Sequence, residues 1–129
     1  MYKVIIIGAS GNDGYDFCEK KCKYYLSSKA KSGEGIMILS CGALTEGKIT
    51  GDLFNQKFAT KYHIDIQYYP CDFKAYGDRA PFKRMEQMLT SADAAIIFEN
   101  DKSDVRHFIE EVKHKNLPYR YVKQNRPTT

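Results

Sequence analysis

The sequence has no tryptophan, only four prolines among its 129 residues, and no long apolar run. A membrane-spanning helix needs roughly 20 consecutive apolar residues, so we expect no membrane among its partners. The apolar start, Val4–Ile7, is soon broken by Gly8, Ser10 and Gly11 and has no small-residue cleavage pattern. It therefore predicts a buried first strand and not a signal peptide.

The four cysteines include no Cys-x-x-Cys pair. In a chain without a secretion signal, this predicts reduced thiols and a cytoplasmic location. Cys18 and Cys22 stand one helical turn apart on an apolar stripe, which favours buried thiols over a soft-metal site. Cys41 or Cys71 would need a nearby base to act as a nucleophile, and only His107 is a candidate. The histidines show no metal-ligand spacing, so no metal is expected.

The net charge is only +4, and 28% of the residues are charged. This weak basicity slightly favours anionic partners but lacks the dense basic stripe of a nucleic-acid-binding protein. The lysines between positions 20 and 31 are interpreted as a solvated helix face. The Lys-, Tyr- and Asn-containing composition indicates an AT-rich genome, as in a phage or a low-GC bacterium.

Five apolar runs alternate with segments of helical periodicity. The runs cover residues 4–7, 36–39, 64–68, 94–98 and 119–122, and the periodic segments begin near Tyr15, Phe54, Phe82 and Val105. This alternation predicts a single Rossmann-like α/β domain over residues 1–122, with a doubly wound, parallel, five-stranded sheet and helices on both faces. Residues 123–129 are predicted to form a polar tail.

The first strand leads into a small-residue loop with Gly8, Gly11 and Gly14 in Gly-x-x-Gly-x-x-Gly spacing. Glycines let the backbone approach a ligand, and a following helix offers free N–H groups to an anion, so Gly8, Ser10 and Gly11 are ligand-binding candidates. The alternative is a tight turn in which Asn12 or Asp13 caps the helix.

The second strand ends without the acidic residue that binds ribose in a conventional NAD site, since Ser40 and Cys41 stand there. An ordinary NAD dehydrogenase is therefore not expected, and no cofactor is predicted. Gly42 and Ala43 begin a second loop that ends at Asp52, which is either a helix cap or a ligand-facing carboxylate.

The third strand is followed by a long loop, Pro70–Pro81. Long loops in small domains are often functional. Phe73 and Tyr76 would either stack on a base or pack over the strand ends. Arg84 is predicted in the first turn of the next helix, where a cation opposes the helix dipole and calls for an anionic partner.

Together these loops resemble the small YspA-like (cpYpsA-related) proteins of the SLOG superfamily, a Rossmann-like group related to the lonely-guy phosphoribohydrolases. That group shows G-S-R, G-G-A-x-G-A-D, P-A-D-W with Y-G, A-G-x-x-R-N-x-x-M, and A-D before a strand ending in Phe. The matching stretches here are Gly8-Ala9-Ser10, Cys41-Gly42-Ala43 with Gly51-Asp52, Pro70-Cys71-Asp72-Phe73 with Tyr76-Gly77, the segment from Ala80 to Met88, and Ala92-Asp93 before Phe98.

The resemblance implies a nucleotide or nucleotide-derived ligand at the carboxyl ends of the strands. By carry-over, the pocket would use Gly8, Ser10, Gly42, Ala43, Asp52, Asp72 and Arg84. Related small domains often dimerise through their helices, so a homodimer is also implied.

The chain departs from the hydrolases after strand four, where Glu99, Asp101 and Asp104 replace the P-G-G-x-G-T-x-x-E stretch. An acidic loop repels a terminal phosphate, and this favours sensing or sequestration without catalysis. Two alternatives stay open. One is an N-glycosidic hydrolase or deoxyribosyltransferase-like enzyme, with Glu99, Asp52 or Asp72 as nucleophile or base. The other is a protein-interaction domain with a vestigial pocket.

Overall fold

The structure is a computed structural model that describes residues 1–11, 13–45, 48–51, 53–99 and 105–123. Its strands are β1 (Tyr2–Ile7), β2 (Ile36–Thr45), β3 (Lys48–Gly51), β4 (Asp65–Pro70), β5 (Ala94–Glu99) and β6 (Tyr119–Lys123). Its α-helices are α1 (Tyr15–Lys31), α2 (Leu53–Tyr62), α3 (Phe73–Tyr76), α4 (Ala80–Ser91) and α5 (Arg106–His114), with a 3₁₀ turn at Gly77–Arg79. Among the described residues, no helix is both long and apolar enough to cross a membrane.

Five of the strands are parallel and lie in the order β4-β2-β1-β5-β6. Each crossover between them contains a helix, as parallel pairing requires. This order is that of a doubly wound, Rossmann-like sheet, and it confirms the predicted fold class. Lys123, the first residue of the predicted tail, is the last residue of β6, and residues 124–129 lie outside the described residues.

One strand was not predicted. The segment predicted to be the second loop, from Gly42 to Asp52, includes β3, which pairs antiparallel with the end of β2 from Gly42↔Gly51 to Thr45↔Lys48. Its Thr- and Ile-containing sequence suits a strand. Gly42 and Ala43 therefore lie within β2 and not in a loop after it.

Two apolar cores cover the two faces of the sheet. On one face, Cys22 and Leu26 of α1 and Phe54 and Phe58 of α2 pack against strand residues such as Ile38. On the other face, the α4 and α5 side chains pack on the sheet, and these include Met88, Leu89, Phe108 and Val112. The prediction of helices on both faces is confirmed, and the ends of the strands are flanked by loops.

The exposure of the strands agrees with the apolar pattern of the sequence. The continuous apolar run of β5 is buried from Ala94 to Phe98, whereas β4 alternates between exposed and half-buried residues. A central strand is covered on both faces and an edge strand is not. Cys18 and Cys22 are buried, as their place on the apolar stripe predicted.

The long loop predicted after β4 is largely helical. Asp72 starts the single turn α3, and α4 begins at Ala80 with a proline in its first turn. Proline suits that position because the N–H it lacks would have no helical partner. Arg84 therefore lies in the second turn of α4, not in the first.

Candidate ligand-binding crevice

The strand order reverses between β1 and β5, which are paired in register from Val4↔Ala94 to Ile7↔Ile97. Helices that follow these two strands lie on opposite faces, and the carboxyl ends of such a strand pair are the place where open α/β sheets bind their ligands. Gly8 follows β1 at this point, and Phe98 and Glu99 end β5 beside it.

Gly8 has almost no space around its α-carbon. A β-carbon there would collide with the carbonyl oxygen of Phe98 and would lie 3.4 Å from a methyl group of Val105. The backbone also adopts a φ of +80°, which L side chains rarely adopt. Position 8 therefore requires glycine, and the turn after β1 packs directly on the end of β5.

The rest of this loop is fixed against the start of α2. The Ser10 hydroxyl donates to the carbonyl of Asp13, and Lys57 Nζ donates to the carbonyl of Gly11 at 2.7 Å. A β-carbon at Gly11 would lie 2.6 Å from Leu53 Cγ. The loop thus has a defined shape, with one lysine ammonium group at its rim.

The helix after this loop begins differently from the prediction. Its N-cap is Gly14, with a φ of 89°, and no side chain makes a capping hydrogen bond. Asp13 is thus not the cap, because the left-handed turn at Gly14 sets the helix start, and Asn12 lies outside the described residues. The first turn of this 17-residue helix has no side-chain cap, and Asp16 within it offsets part of the positive charge of the helix end.

A buried amide beneath the loop was missed by sequence reasoning. Asn55, which is fully buried, donates from Nδ2 to the Ile6 carbonyl at 3.0 Å and to Ser40 Oγ at 2.8 Å. It thereby joins α2 to the ends of β1 and β2. Its Oδ1 is buried and has no hydrogen-bond partner among the described residues. The available signal was a polar residue on the apolar side of α2, next to Phe54.

Asp72 has a structural role in the loop after β4. Its carboxylate accepts a hydrogen bond from the Ala75 backbone N–H at 3.0 Å and caps α3. The aromatic residues that follow it are not packed over the strand ends. Phe73 is 59% exposed and Tyr76 is 43% exposed, and the Lys83 ammonium group lies over the Tyr76 ring, 5.9 Å from its centroid.

Arg84 is half-buried on α4, and among the described residues it forms no ion pair. The nearby ring of Phe82 meets His107 edge to face, with centroids 5.6 Å apart. His107 is thus engaged with an aromatic ring. The predicted anionic partner of Arg84 stays a prediction, and its basis in the dipole of the first turn is weakened because Arg84 lies in the second turn of α4.

Glu99 ends β5 and is held by its neighbour strand, because the Tyr121 hydroxyl donates to its carboxylate. This hydrogen bond raises the pKa of Tyr121 above its usual value. The acidic residues after it, Asp101 and Asp104, lie outside the described residues, as does Asp52. Within the described part of the chain, no cluster of His, Cys, Asp or Glu could hold a metal ion.

The fold brings the glycine turn, Lys57 and Glu99 to the same edge of the sheet, together with Asp72 and its aromatic neighbours. Gly42 and Ala43 lie further along β2, in its hairpin with β3. The strand order and the glycine turn define the class of protein, a Rossmann-like α/β domain with a crevice at the switch point. Comparisons with family models, curated proteins and solved structures found no match in any of the three.

Proposed function

We propose that this protein binds a nucleotide or nucleotide-derived ligand in the crevice between the carboxyl ends of β1 and β5, and senses or sequesters it without catalysis. The observation that carries the proposal is Gly8, whose left-handed turn packs against Phe98 and brings bare backbone to the switch point. Dinucleotide- and mononucleotide-binding sheets use that position for their phosphate loops.

Two groups of side chains complement such a ligand. Lys57 and Arg84 supply positive charge for phosphate, while Phe73 and Tyr76 offer exposed rings for a base. Neighbouring strands lie about 4.8 Å apart, so the distance from β1 across β2 to β4 is about 10 Å. A nucleotide is long enough to span from the glycine turn to these rings. The proposal extends to membership of the SLOG superfamily.

Mass spectrometry of molecules released on denaturation, beside a thermal-shift panel of nucleotides and cyclic or NAD-derived nucleotides, tests the proposal. A ligand present at 100 times its dissociation constant stabilises the protein by about 2.7 kcal/mol. We expect Lys57→Gln and Arg84→Gln to reduce the shift and Lys20→Gln, an exposed lysine elsewhere on α1, to retain it. The absence of any shift at millimolar concentration would overturn the proposal.

A second candidate function rests on Glu99, the one acidic side chain that the described residues hold in place directly beside the switch point. If the protein is an N-glycosidic hydrolase or transferase, Glu99 acts as nucleophile or base. Free base would then be released from a nucleotide panel, and Glu99→Gln would stop the release while binding persists. Release that survives both Glu99→Gln and Asp72→Asn would exclude this assignment.

A further inference from the structure

A second concave site lies at the amino-terminal ends of the strands, between the carboxyl-terminal halves of α1 and α2. This α1–α2 pocket has a volume of about 440 Å³, within the range of small-molecule sites. Its apolar wall includes Leu26, Phe58, Ile36 and Ile64. Ile36 begins β2 and Ile64 precedes β4, so the pocket is separate from the crevice at the carboxyl ends.

The rim of the α1–α2 pocket is positively charged. Lys23, Lys31 and His63 line it together with a single carboxylate, Glu34. That carboxylate is paired with Lys29 at 3.5 Å, whereas no ion pair within the described residues joins Lys23 or Lys31 to an acid. Lys23 lies instead over the Tyr62 ring, 5.2 Å from its centroid, which positions its ammonium group at the pocket wall.

The helix ends modify this charge without reversing it. The carbonyl ends of α1 and α2 carry partial negative charge of about half an elementary charge each. Lys31 lies in the last turn of α1 and offsets that helix end, whereas Lys61, in the last turn of α2, is paired with Glu19 at 2.9 Å. The remaining ammonium group of Lys23 leaves the rim suited to an anion.

His63 adds an independent observation. Residues in the left-handed region follow α1, α2 and α5, and they are Gly33, His63 and Asn116. Glycine and asparagine are the usual residues there, so a histidine at φ 54° is the unusual one. Strained backbone conformations cluster at ligand sites, and His63 lines the pocket rim.

From the apolar wall, the positive rim and the histidine at a positive φ, we propose that the α1–α2 pocket binds a small amphipathic anion, with a hydrocarbon body and one carboxylate. The body lies against the half-buried Ile36 and Ile64, and the carboxylate pairs with the ammonium group of Lys23. Lys31 is eight residues further along α1, about 12 Å away, and adds positive charge at the other end of the rim. The proposal is independent of the crevice.

Isothermal titration with decanoate, decanol and decylammonium, which share one chain and differ in charge, tests this site. We expect one decanoate per chain, bound more tightly than decanol, and no measurable binding of decylammonium. The double variant Lys23→Gln/Lys31→Gln should weaken decanoate by about tenfold, equal to about 1.4 kcal/mol, and leave decanol unchanged. Lys20→Gln is the charge-matched control. His63→Asn should weaken decanoate without lowering the melting temperature, because asparagine tolerates a positive φ.

A filling variant separates the pocket from general surface adsorption. Ser27 lines the pocket, and its hydroxyl only donates to the Tyr24 carbonyl of its own helix, at 2.8 Å. Ser27→Phe should abolish binding of both decanoate and decanol. Ser28→Phe places the same ring at the next position of α1, which is exposed, and should not abolish binding. Equal binding of decanoate by Ser27→Phe, tighter binding of decylammonium, or a homodimer in sedimentation equilibrium that excludes decanoate would each overturn the proposal.

Discussion

Gly8 and Phe98 approach each other so closely that the carbonyl oxygen of Phe98 occupies the place of a β-carbon on Gly8. The turn after β1 and the end of β5 are thereby locked together at the switch point. Neither residue contributes a polar side chain, yet their contact sets the floor of the crevice.

Gly8→Ala is expected to be strongly destabilising. The left-handed φ costs about 1–2 kcal/mol for a residue with a β-carbon, and the collision with Phe98 adds about 1–3 kcal/mol. Gly33→Ala is the matched control, because Gly33 has a similar φ of +76° and no atom within 4 Å of an added β-carbon. Urea unfolding of both variants measures the difference. Equal losses in the two would show that the Phe98 contact has no energetic weight.

Asn55→Ala should lower the free energy of unfolding by about 2–4 kcal/mol, because it leaves the Ile6 carbonyl and Ser40 hydroxyl without their buried donor and opens a cavity. Gln56→Ala, at the next and less buried position of α2, should cost less than about 0.5 kcal/mol. Denaturant unfolding followed by far-ultraviolet circular dichroism distinguishes them. A small loss at Asn55 would contradict its assignment as the link between α2 and the strand ends.

The ion pair between Glu19 and Lys61, at 2.9 Å, predicts a pH dependence. The hydrogen bond from Lys61 holds the pKa of Glu19 below its usual value. The folded state therefore binds this proton less tightly than the unfolded state, and the pair stabilises the fold above the ordinary glutamate pKa. That contribution disappears as the pH falls through the lowered pKa of the folded state.

Lys61→Met should return the Glu19 pKa towards its usual value, which carboxyl chemical shifts in an NMR titration would report. The stability difference between wild type and this variant should shrink as the solution is acidified below the glutamate range. Lys57→Met, on the same helix but bonded to a backbone carbonyl, should leave the Glu19 titration unchanged. A Glu19 pKa that ignores Lys61 would refute the pairing.

The four thiols should react in two classes. Cys41 and Cys71 are half-buried, whereas Cys18 and Cys22 are buried, and burial raises the pKa of the Cys22 thiol. Since the thiolate is the reactive form, a disulfide reagent should label Cys41 and Cys71 first and the other two only on unfolding. Peptide mapping identifies the labelled sites, with Cys18→Ala/Cys22→Ala as the control. Fast labelling of Cys22 in the native protein would contradict the packing.

The sheet was predictable because periodicity and burial agree. The continuous apolar run of β5 indicates a strand that is covered on both faces, and the alternating run of β4 indicates a more exposed strand. Both agree with the strand order, in which β5 is an inner strand and β4 an edge strand. The β3 hairpin was not predictable in the same way. Its residues carry no alternation strong enough to distinguish a strand from an inserted loop, and pairing with the end of β2 supplies its stability.

The candidate site was predicted only in part. The glycine spacing predicted the turn at Gly8, because a close contact between backbones requires a residue without a β-carbon. The alternative in which Asp13 caps the helix was wrong, because α1 starts at Gly14 in a left-handed conformation and without a side-chain cap. Asn55 and Lys57 belong to the site through contacts between α2 and β1, and such distant contacts leave no local signal. The assignments of a nucleotide ligand and of a SLOG relationship stay predictions.

The connections at the two ends of the strands differ in length, and this difference decides where the domain can accept insertions during evolution. Only His63 and Ile64 separate α2 from β4, and only Ala92 and Asp93 separate α4 from β5, whereas the opposite edge carries the glycine turn, the β3 hairpin and α3. A residue inserted at the short edge would displace a strand from its register and turn its core residues outwards. Insertions at the other edge leave the pairing intact. New specificities can therefore arise in this scaffold by lengthening the loops at the carboxyl ends of the strands, while the short connections at the amino ends keep the strands in register.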